Sequence, residues 1–360
     1  MKYVKPDLAR RNSLLKFARS ALYPFAMRLT SVLVGLACAE ALPSFEDFMS
    51  TYNKVYATTT ELAYRRDIFS AAVKKIEAHN ALKLSWTMGI NHFADLTADE
   101  WRNITRSKRP SAPPAEHVAT AEELIAEAGG VSALPKELDW RTSGAVTKVK
   151  DQGQCGSCWA FGTTVAVEGA HFIASNKTEL ISLSEQQIVS CDHTGGNDGC
   201  NGGTQTAALH WLIKEGGQCT EKDYPYHSGS GKDGKCKKEC TPAVTVTRAV
   251  EVEKHNETAL MAALVKVPLS LSVDASSDDW QYYKGGVFDK TCKCHNVGCL
   301  DHAVGGVGWG VQGSKEYWWV KNSWAEDWGD KGYIKLGKGS EFGPTGQCGV
   351  QIDSQFATAK

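Results

Sequence analysis

The sequence predicts an α+β protein in which a helical region is followed by a region of strands. Helical periodicity dominates from about residue 134 to residue 243, whereas the chain from Val244 onward is rich in Val, Tyr, Trp and Gly at strand-like spacing. Helices that precede strands in this way favour an α+β arrangement over alternating βαβ units. The 360 residues are enough for two domains or one large one. The net charge of −1 gives no field that would attract nucleic acid.

The N-terminal stretch has the pattern of a secretory signal. A basic residue precedes an apolar run over residues 29–36, and the small-residue sequence Ala-Cys-Ala at 37–39 follows as a cleavage site. The apolar run is shorter than the ~20 residues that a transmembrane helix requires. We therefore expect residues 1–39 to be a signal region, with translation starting at residue 1 or at Met27, and no stable membrane insertion. A buried core helix is the alternative.

The twelve cysteines, nearly all of them after residue 150, indicate an oxidising compartment. Without Cys38 and Cys158 ten remain, an even number that is consistent with five disulfides. Counting does not determine which cysteines pair. Residues 292–299 hold three cysteines and a histidine at a spacing that also suits zinc, although disulfides are favoured in a secreted chain.

The segment after the signal has the pattern of amphipathic helices. Aromatic residues at helical spacing predict an amphipathic helix with one aromatic face: Phe45, Phe48, Tyr52 and Tyr56. Further on, Glu61 and Arg65 are four residues apart, so they can pair on one helix face, and Phe69 and Ile76 belong to its apolar side. Residues 89–95 are expected to form a turn that leads into a short strand.

Residues 106–133 have the composition of a linker. Proline, alanine and charged residues without strong periodicity predict irregular chain, with a helical stretch near residues 122–128. Exposed linkers of this kind are where proteolysis concentrates.

The stretch from Gln152 to Phe161 has the pattern of a nucleophile at the start of a helix. Two glycines and a serine precede an apolar run that suits a buried helix, and Cys158 falls in its first turn. The positive end of the helix dipole favours the thiolate, which is the nucleophilic form. The amide of Gln152 can fold back and donate to an oxyanion. Cys155 and Cys158 also form a Cys-x-x-Cys, so a redox motif and plain disulfide partners are the alternatives.

Two downstream residues complete a catalytic set. His302 precedes a glycine-rich strand and can accept the thiol's proton near neutral or mildly acidic pH. Asn322 can fix the tautomer of that imidazole, and Trp324 can shield their hydrogen bond from water. A redox protein would not need Gln152, His302 and Asn322, so this set favours hydrolysis.

These motifs resemble the papain and cathepsin L-type cysteine proteases. The sequence Cys-Gly-Ser-Cys-Trp at 155–159 matches the family's local signature. The residues at 61–80 resemble the family's propeptide pattern Glu-x3-Arg-x3-Phe-x2-Asn-x3-Ile-x3-Asn, with Ala72 in place of the first Asn, and Gly-x-Asn-x-Phe-x-Asp follows at 89–95.

The resemblance implies a papain-like fold of two subdomains with the active-site cleft between them, preceded by a helical inhibitory prodomain. It implies an inhibitory propeptide domain at 44–101, whose tail blocks the active site in reverse orientation. A propeptide linker follows at 102–133, and the peptidase domain spans 134–360.

The resemblance also assigns substrate-binding positions, and here the sequence departs from the family. Polar residues stand where the S2 pocket is usually apolar, Asp353 falls at its floor, and Ala325 stands where glycine is usual. The nine assigned positions are Gly156, Gly202, Gly203, Thr204, Gln205, Ser272, Asp301, Trp324 and Asp353.

For the disulfides, the resemblance implies a bond between Cys155 and Cys200 and a bond from Cys292 or Cys294 to Cys348. Cys219 pairs with Cys240 in this scheme, two cysteines of the 292–299 cluster pair locally, and Cys191 and Cys236 are also disulfide-bonded.

We therefore predict a cysteine endopeptidase made as a latent zymogen. Its expected partners are peptide and protein substrates, its own propeptide as inhibitor, and cystatin-type inhibitors. No nucleic acid, cofactor or metal is expected, and the protein is expected to be a monomer of the secretory pathway that ends in a lysosome, a vacuole or the medium. The competing class is an inactive homologue that binds peptides. Asn-x-Thr triplets begin at Asn103, Asn176 and Asn256, so glycosylation is a further expectation.

Overall fold

The computed structural model describes residues 42–105, 117–237, 239–290 and 292–360. The predicted signal region with Met27, and residues 106–116 of the predicted linker, lie outside the described residues. All described residues belong to one unit that spans Leu42–Lys360.

Within these residues the main helices of the protease region, α5 to α7, precede most of its strands, in agreement with the predicted α+β class. The α-helices are α1 (Phe45–Thr51), α2 (Thr59–Ala81), α3 (Ala98–Thr105), α4 (Ala121–Glu127), α5 (Cys158–Ala174), α6 (Glu185–Cys191), α7 (Gln205–Glu215), α8 (Glu257–Lys266) and α9 (Asp278–Gln281). The strands are β1 (Trp86–Met88), β2 (Val118–Ala119), β3 (Leu138–Asp139), β4 (Val246–Val252), β5 (Leu269–Val273), β6 (Tyr283–Phe288), β7 (His302–Gln312), β8 (Lys315–Lys321), β9 (Tyr333–Gly337) and β10 (Ser354–Ala359). Short 3-10 helices lie at Val131–Ala133, Gly199–Asn201, Ser228–Ser230, Val297–Cys299, Ser340–Phe342 and Gln347–Gly349.

The strands form one sheet whose order is β1-β6-β9-β8-β7-β5-β10-β4-β2, and β3 pairs with β7 beside this path. The central strands β5 and β7 are antiparallel, with Val273 opposite His302. Helix α5 is almost entirely buried and packs against β5, β7 and β10. Gly305 of β7 permits this approach, because a Cβ there would lie 2.7 Å from a methyl carbon of Val165. The sheet thus brings the start of β7 close to α5.

The N-terminal helical domain begins with two well-capped helices. Ser44 caps α1 through a capping box with Asp47, and Thr58 caps α2. The predicted aromatic helix is shorter than expected, because α1 ends at Thr51 and Tyr56 lies in the loop beyond it. Tyr56 still stacks on Phe45, with the ring centroids 6.0 Å apart, so the aromatic cluster forms across the turn.

Charged contacts tie the end of this domain to α2. The carboxylate of Asp95 accepts hydrogen bonds from Nζ of Lys54 at 2.9 Å and from the hydroxyl of Tyr56 at 2.8 Å. Arg65 donates to both carboxylate oxygens of Glu100 at 2.7 and 2.8 Å, while its predicted partner Glu61 is 3.9 Å away. The hydrogen bonds from Arg65 hold the pKa of Glu100 below its usual range.

The predicted order of turn and strand at residues 89–95 was wrong. The strand β1 comes before this stretch, which forms only the turn, because β1 pairs antiparallel with β6 of the following domain. The pairing partner lies about 200 positions along the chain, so no local pattern marks it. Asn91 continues this contact by donating from Nδ2 to the carbonyl oxygen of Gln281 at 2.7 Å.

The predicted linker contains a docked element. Strand β2 pairs parallel with β4, and α4 follows it with a capping box between Thr120 and Glu123. Leu124 of α4 is fully buried, and Glu127 forms an ion pair with Lys266 of α8. The helical stretch expected near residues 122–128 is therefore present, and it is anchored on the domain that follows. Residues 131–133, after α4, are exposed.

Ten cysteines form five disulfides in the described residues: Cys155–Cys200, Cys191–Cys236, Cys219–Cys240, Cys292–Cys348 and Cys294–Cys299. All three cysteines of the 292–299 cluster are therefore oxidised, which removes the thiolates that a zinc site would need. In the part of the chain that the structure covers, no helix has the length and apolar character to cross a membrane.

Candidate active site

The candidate nucleophile lies where the sequence predicts it. Helix α5 begins at Cys158, which is buried and outside the five disulfides. The N-cap residue is Ser157, whose hydroxyl makes no capping hydrogen bond to the helix. Cys155 is bonded to Cys200, so the pair Cys155 and Cys158 is not a redox couple. The structure therefore contradicts the redox alternative.

His302 and Asn322 form the second part of the site. Nε2 of His302 lies 2.7 Å from Oδ1 of Asn322, and the backbone N–H of Ser323 donates to the same oxygen at 2.8 Å. Because Oδ1 can only accept, Nε2 carries a proton and Nδ1 holds the free lone pair of the neutral ring. Nδ1 is buried and has no hydrogen-bond partner among the described residues.

The surroundings of His302 keep it neutral in this form of the protein. Burial lowers the pKa of His302 to about 4, although the hydrogen bond with Asn322 acts in the opposite direction. Trp324 stacks on the imidazole with ring centroids 4.4 Å apart and an interplanar angle of 21°. The fully buried Trp324 thus covers the ring beside the His302–Asn322 bond, in the shielding position that the sequence suggests.

The N-terminal domain reaches this same tryptophan. Trp101 of α3 packs edge-on against Trp324 with centroids 4.7 Å apart, and Phe93 does so at 5.9 Å. His92 donates from its backbone N–H to Oδ2 of Asp327 at 3.3 Å, and its Nδ1 lies 2.7 Å from the same oxygen. The helical domain therefore packs directly on the aromatic shell of the site, and sequence reasoning missed these contacts.

Gln152 is held with its amide in one orientation. The hydroxyl of Ser323 donates to Oε1 of Gln152 at 2.7 Å, so Nε2 points the other way and donates to the carbonyl oxygen of Cys155 at 2.9 Å. An amide nitrogen has two protons, so Nε2 keeps one for a further acceptor. The backbone N–H of Gln152 also donates to the carbonyl oxygen of Ser323 at 2.9 Å.

Glycines keep the neighbouring backbone segments close together. The N–H of Gly156 donates to the carbonyl oxygen of Cys200 at 2.9 Å, and a Cβ on Gly156 would lie 2.5 Å from that oxygen. A Cβ on Gly203 would lie 2.6 Å from the indole of Trp159. Gly202 has a φ of 119°. Glycine adopts this backbone conformation with little strain, whereas other residues do not.

The predicted S2 residues form a chain of hydrogen bonds. Nε2 of Gln205 donates to Oγ of Ser272 at 2.9 Å, and that hydroxyl donates to Oδ2 of Asp353 at 2.7 Å. Gln355 donates to the other oxygen, Oδ1, at 3.0 Å. Three of the predicted S2 residues are thus connected by hydrogen bonds, and Gln355 is a further member of this chain that the sequence did not predict. Thr204 instead caps α7 by accepting from Ala207.

The last assigned position, Asp301, and the family departure at Ala325 concern the backbone in this form of the protein. Oδ1 of Asp301 accepts from the N–H of Ala275 at 2.8 Å, which fixes the loop before His302. Ala325 has a φ of 58°, in the left-handed region that favours glycine. In this backbone conformation an alanine is more strained than the glycine that is usual at this position.

A buried charge cluster lies at the end of β8, directly before Asn322. Nζ of Lys321 donates to the hydroxyl of Thr147 at 2.9 Å, and burial lowers the pKa of Lys321 to about 8. Lys150 lies 2.8 Å from a carboxylate oxygen of Glu185 and 3.4 Å from one of Glu168. Although burial opposes the charge of Lys150, these carboxylates raise its pKa.

Comparison with known proteins supports the same class as this geometry. The description "Papain family cysteine protease" matches residues 134–358, and "Cathepsin propeptide inhibitor domain (I29)" matches residues 45–101. The senescence-specific cysteine protease SAG39 of Oryza sativa subsp. indica is 39% identical over 87% of this chain and 89% of its own length. The probable cysteine protease RD21B of Arabidopsis thaliana is 41% identical over 82% of this chain, which covers 61% of that protein.

Solved structures agree. A recombinant stem bromelain precursor has a TM-score of 0.76 and 35% identity, covering 87% of this chain and 97% of its own. The site and fold define a cysteine protease with its propeptide attached. The chain belongs to the papain family of cysteine proteases, with a cathepsin-type propeptide inhibitor domain before the protease domain. The predicted family, fold class and enzyme class are confirmed.

Proposed function

We propose that this zymogen hydrolyses peptide bonds as an endopeptidase through Cys158 and His302, with Asn322 orienting the imidazole and Gln152 in the oxyanion hole. One observation carries the proposal. The hydrogen bond between Nε2 of His302 and Oδ1 of Asn322 leaves Nδ1 as the nitrogen that can take the thiol's proton. The inactive peptide-binding alternative has no observation in its favour.

In the proposed reaction, Nδ1 of His302 accepts the proton of Cys158, and the thiolate attacks the carbonyl carbon of the scissile bond. The free N–H of the Gln152 amide and the start of α5 stabilise the oxyanion. The imidazolium then gives its proton to the leaving amine, which breaks the C–N bond and leaves a thioester. Water attacks the thioester carbonyl carbon while Nδ1 of His302 takes a proton from this water. The C–S bond then breaks, the acid product leaves, and the imidazolium returns its proton to the sulfur of Cys158.

We place the thiolate–imidazolium pair in the processed enzyme rather than in the zymogen. In the zymogen, burial lowers the pKa of His302 to about 4, so the ring is neutral at mildly acidic pH. Loss of the propeptide would remove Trp101 and Phe93 from the site and admit solvent. Solvation of the imidazolium then permits the ion pair.

The propeptide is proposed to keep the enzyme latent at neutral pH and to be removed by self-processing in acid. Residues 129–134 are the proposed cleavage region, because the segment between the docked α4 and the buried Trp140 is exposed around Val131. Acid is proposed to loosen the propeptide by weakening its ion pairs, such as those of Asp95 with Lys54 and of Glu61 with Arg65. If Cys158→Ala zymogen still matures in isolation at acid pH, self-processing is wrong.

The proposed setting is the secretory pathway, ending in a lysosome, a vacuole or the medium, as a monomer. Five disulfides suit that oxidising route. Peptide and protein substrates and cystatin-type inhibitors are its proposed partners. Asn103 and Asn176 are exposed and are proposed to carry glycans, whereas Asn256 caps α8 and donates to Glu253 at 3.0 Å.

The test combines titration with a variant. The acid-matured protein should hydrolyse peptide substrates and should be titrated by an epoxide thiol inhibitor, whereas a peptide-binding homologue would do neither. His302→Ala should lose nearly all activity and should alkylate at Cys158 more slowly than wild type at mildly acidic pH, because the ion pair is lost. Equal alkylation rates at that pH would contradict the ion-pair mechanism.

A further inference from the structure

Tyr226 lies next to the candidate active site, although it is far from it in sequence. It follows Ser157 by 69 positions, in a loop of the helical half of the protease domain. Its ring packs edge-on against Phe161 of α5, with centroids 5.0 Å apart and an interplanar angle of 74°. This packing directs the phenol oxygen toward the segment that contains Gln152.

The phenol joins two groups that are separate in the chain. Its oxygen lies 2.9 Å from the carbonyl oxygen of Gln152 and 2.8 Å from Oγ of Ser157. A carbonyl oxygen can only accept, so Tyr226 donates its proton to Gln152. Ser157 must then donate its own proton to Tyr226. Burial raises the pKa of Tyr226, so the phenol stays protonated and keeps its role as a donor.

This contact explains an unusual feature of α5. An N-cap serine normally accepts a hydrogen bond from the first turn of its helix. The hydroxyl of Ser157 makes no such bond, because it is directed to Tyr226. The hydroxyl therefore does not compete for the backbone N–H groups at the start of α5, which is where the oxyanion is expected to form.

Gln152 is in this way held at its backbone N–H, its backbone carbonyl and both ends of its side-chain amide. Ser323 accepts from its backbone N–H and donates to its side-chain oxygen, at 2.9 and 2.7 Å. Tyr226 supplies the donor for its backbone carbonyl. Among the described residues, the side chain of Tyr226 bridges Gln152 and Ser157, which directly precedes Cys158.

We propose that Tyr226 is a positioning residue for the oxyanion hole. Its hydroxyl sets the distance between the amide of Gln152 and the N-terminus of α5, the two donors that stabilise the developing oxyanion. The inference rests on the proposed function, because it assigns Tyr226 a role in that reaction. It acts through Gln152 and Ser157 and needs no contact with substrate.

The experiment uses the acid-matured protein with Tyr226→Phe, which removes one oxygen and keeps the ring on Phe161. Tyr224→Phe is the matched control. Tyr224 is a buried phenol two residues away, and it donates to the carbonyl oxygen of Lys235 at 3.0 Å, outside the site. The measurements are kcat and KM for a peptide amide substrate, and the rate of Cys158 alkylation by iodoacetamide across pH.

Tyr226→Phe should lower kcat roughly tenfold and leave KM within about twofold, because the oxyanion exists only in the transition state. Alkylation forms no oxyanion, so its rate and pH profile should match those of wild type. Ser157→Ala should lower kcat as well, and the double variant should lose no more than the worse single variant, since both act through one bridge.

Three results would overturn the inference: wild-type kcat in Tyr226→Phe, an equal loss in Tyr224→Phe, or a slower alkylation that accounts for the loss of kcat. Failure of the proposed function gives a different result, because the wild-type protein would then neither hydrolyse the substrate nor be titrated by the epoxide.

Discussion

The hydroxyl of Ser323 donates to Oε1 of Gln152 at 2.7 Å, and this bond joins the two sides of the candidate active site. The backbone of the same serine donates to Oδ1 of Asn322, which holds His302. Ser323 therefore orients both Gln152, the proposed oxyanion donor, and Asn322, the partner of the imidazole.

Ser323→Ala should lower kcat roughly tenfold with a small change in KM. Without the serine hydroxyl, the buried oxygen of Gln152 loses its donor, and the amide is no longer fixed with Nε2 toward the site. Steady-state kinetics of the matured enzyme measure this, and Ser340→Ala at an exposed position is the control. An unchanged kcat in Ser323→Ala would show that the amide is oriented by other contacts.

The stability of the zymogen should depend on pH through His302. The pKa of this residue is about 4 in the zymogen and ~6.5 when unfolded, so between these values the unfolded chain binds more protons. The free energy of unfolding therefore decreases as the pH falls through this window, by up to roughly 3 kcal/mol.

His302→Gln, made in a Cys158→Ala background to prevent processing, should lose this part of the pH dependence. Denaturant unfolding at pH 7 and pH 4.5 measures it. His193→Gln, at an exposed histidine, should keep the wild-type dependence. The same slope in His302→Gln and in its parent would refute the prediction.

Asp327→Asn should let the zymogen activate at a higher pH, by about 0.5–1 unit in the midpoint. Although burial opposes it, the hydrogen bonds and charge of His92 hold the pKa of Asp327 below its usual range. A carboxylate with a lowered pKa contributes stability above its unfolded pKa, and it loses this only as the pH falls through the folded value. The bond to His92 therefore resists mild acid and delays release of the propeptide.

The pH at which half of the zymogen is processed in a fixed time measures this effect. Asp99→Asn is the control, since Asp99 is exposed and pairs with Arg102 within the same helix of the propeptide. A shift of equal size in the control would mean that the charge change alone is responsible.

Ala325→Gly should stabilise the protein by about 0.5–1 kcal/mol. Ala325 has a φ of 58°, where its methyl group is strained and glycine is not. Thermal unfolding of the Cys158→Ala zymogen with and without the change measures the difference. Ala71→Gly, at an exposed position within α2, should be destabilising instead. A loss of stability in both variants would contradict the prediction that the positive φ at residue 325 strains the alanine.

Asp353 should allow Arg at the P2 position of the substrate alongside apolar residues. Its carboxylate accepts from Ser272 and Gln355, and a carboxylate at this position can bind a guanidinium from P2 in a charge-assisted bond worth ~1.5–3 kcal/mol. The ratio of kcat/KM for Z-Arg-Arg and Z-Phe-Arg substrates should therefore fall in Asp353→Ala.

Asp353→Asn separates charge from shape, because it keeps the side-chain volume and should also lower the ratio. If neither change affects the ratio, Asp353 does not determine P2 specificity.

Much of this protein could be predicted from local sequence. Cys158 at the start of a buried apolar helix, His302 before a glycine-rich strand, and the stretch that contains Asn322 each have a signal within a few residues. Helical and strand periodicity likewise predicts the α+β class, because each element buries one face. Capping residues such as Ser44 and Thr120 mark where helices begin for the same local reason.

What the sequence alone determined is therefore the family, the α+β class and the elements that carry the candidate catalytic residues. The tertiary structure decided the choice of Cys292 rather than Cys294 as partner of Cys348, the pairing of β1 with β6, and the place of Tyr226 beside Gln152. Each of these depends on which distant segments meet when the core packs. Periodicity and capping are set by neighbours three or four residues apart, so they contain no record of contacts between segments 50 to 200 positions apart.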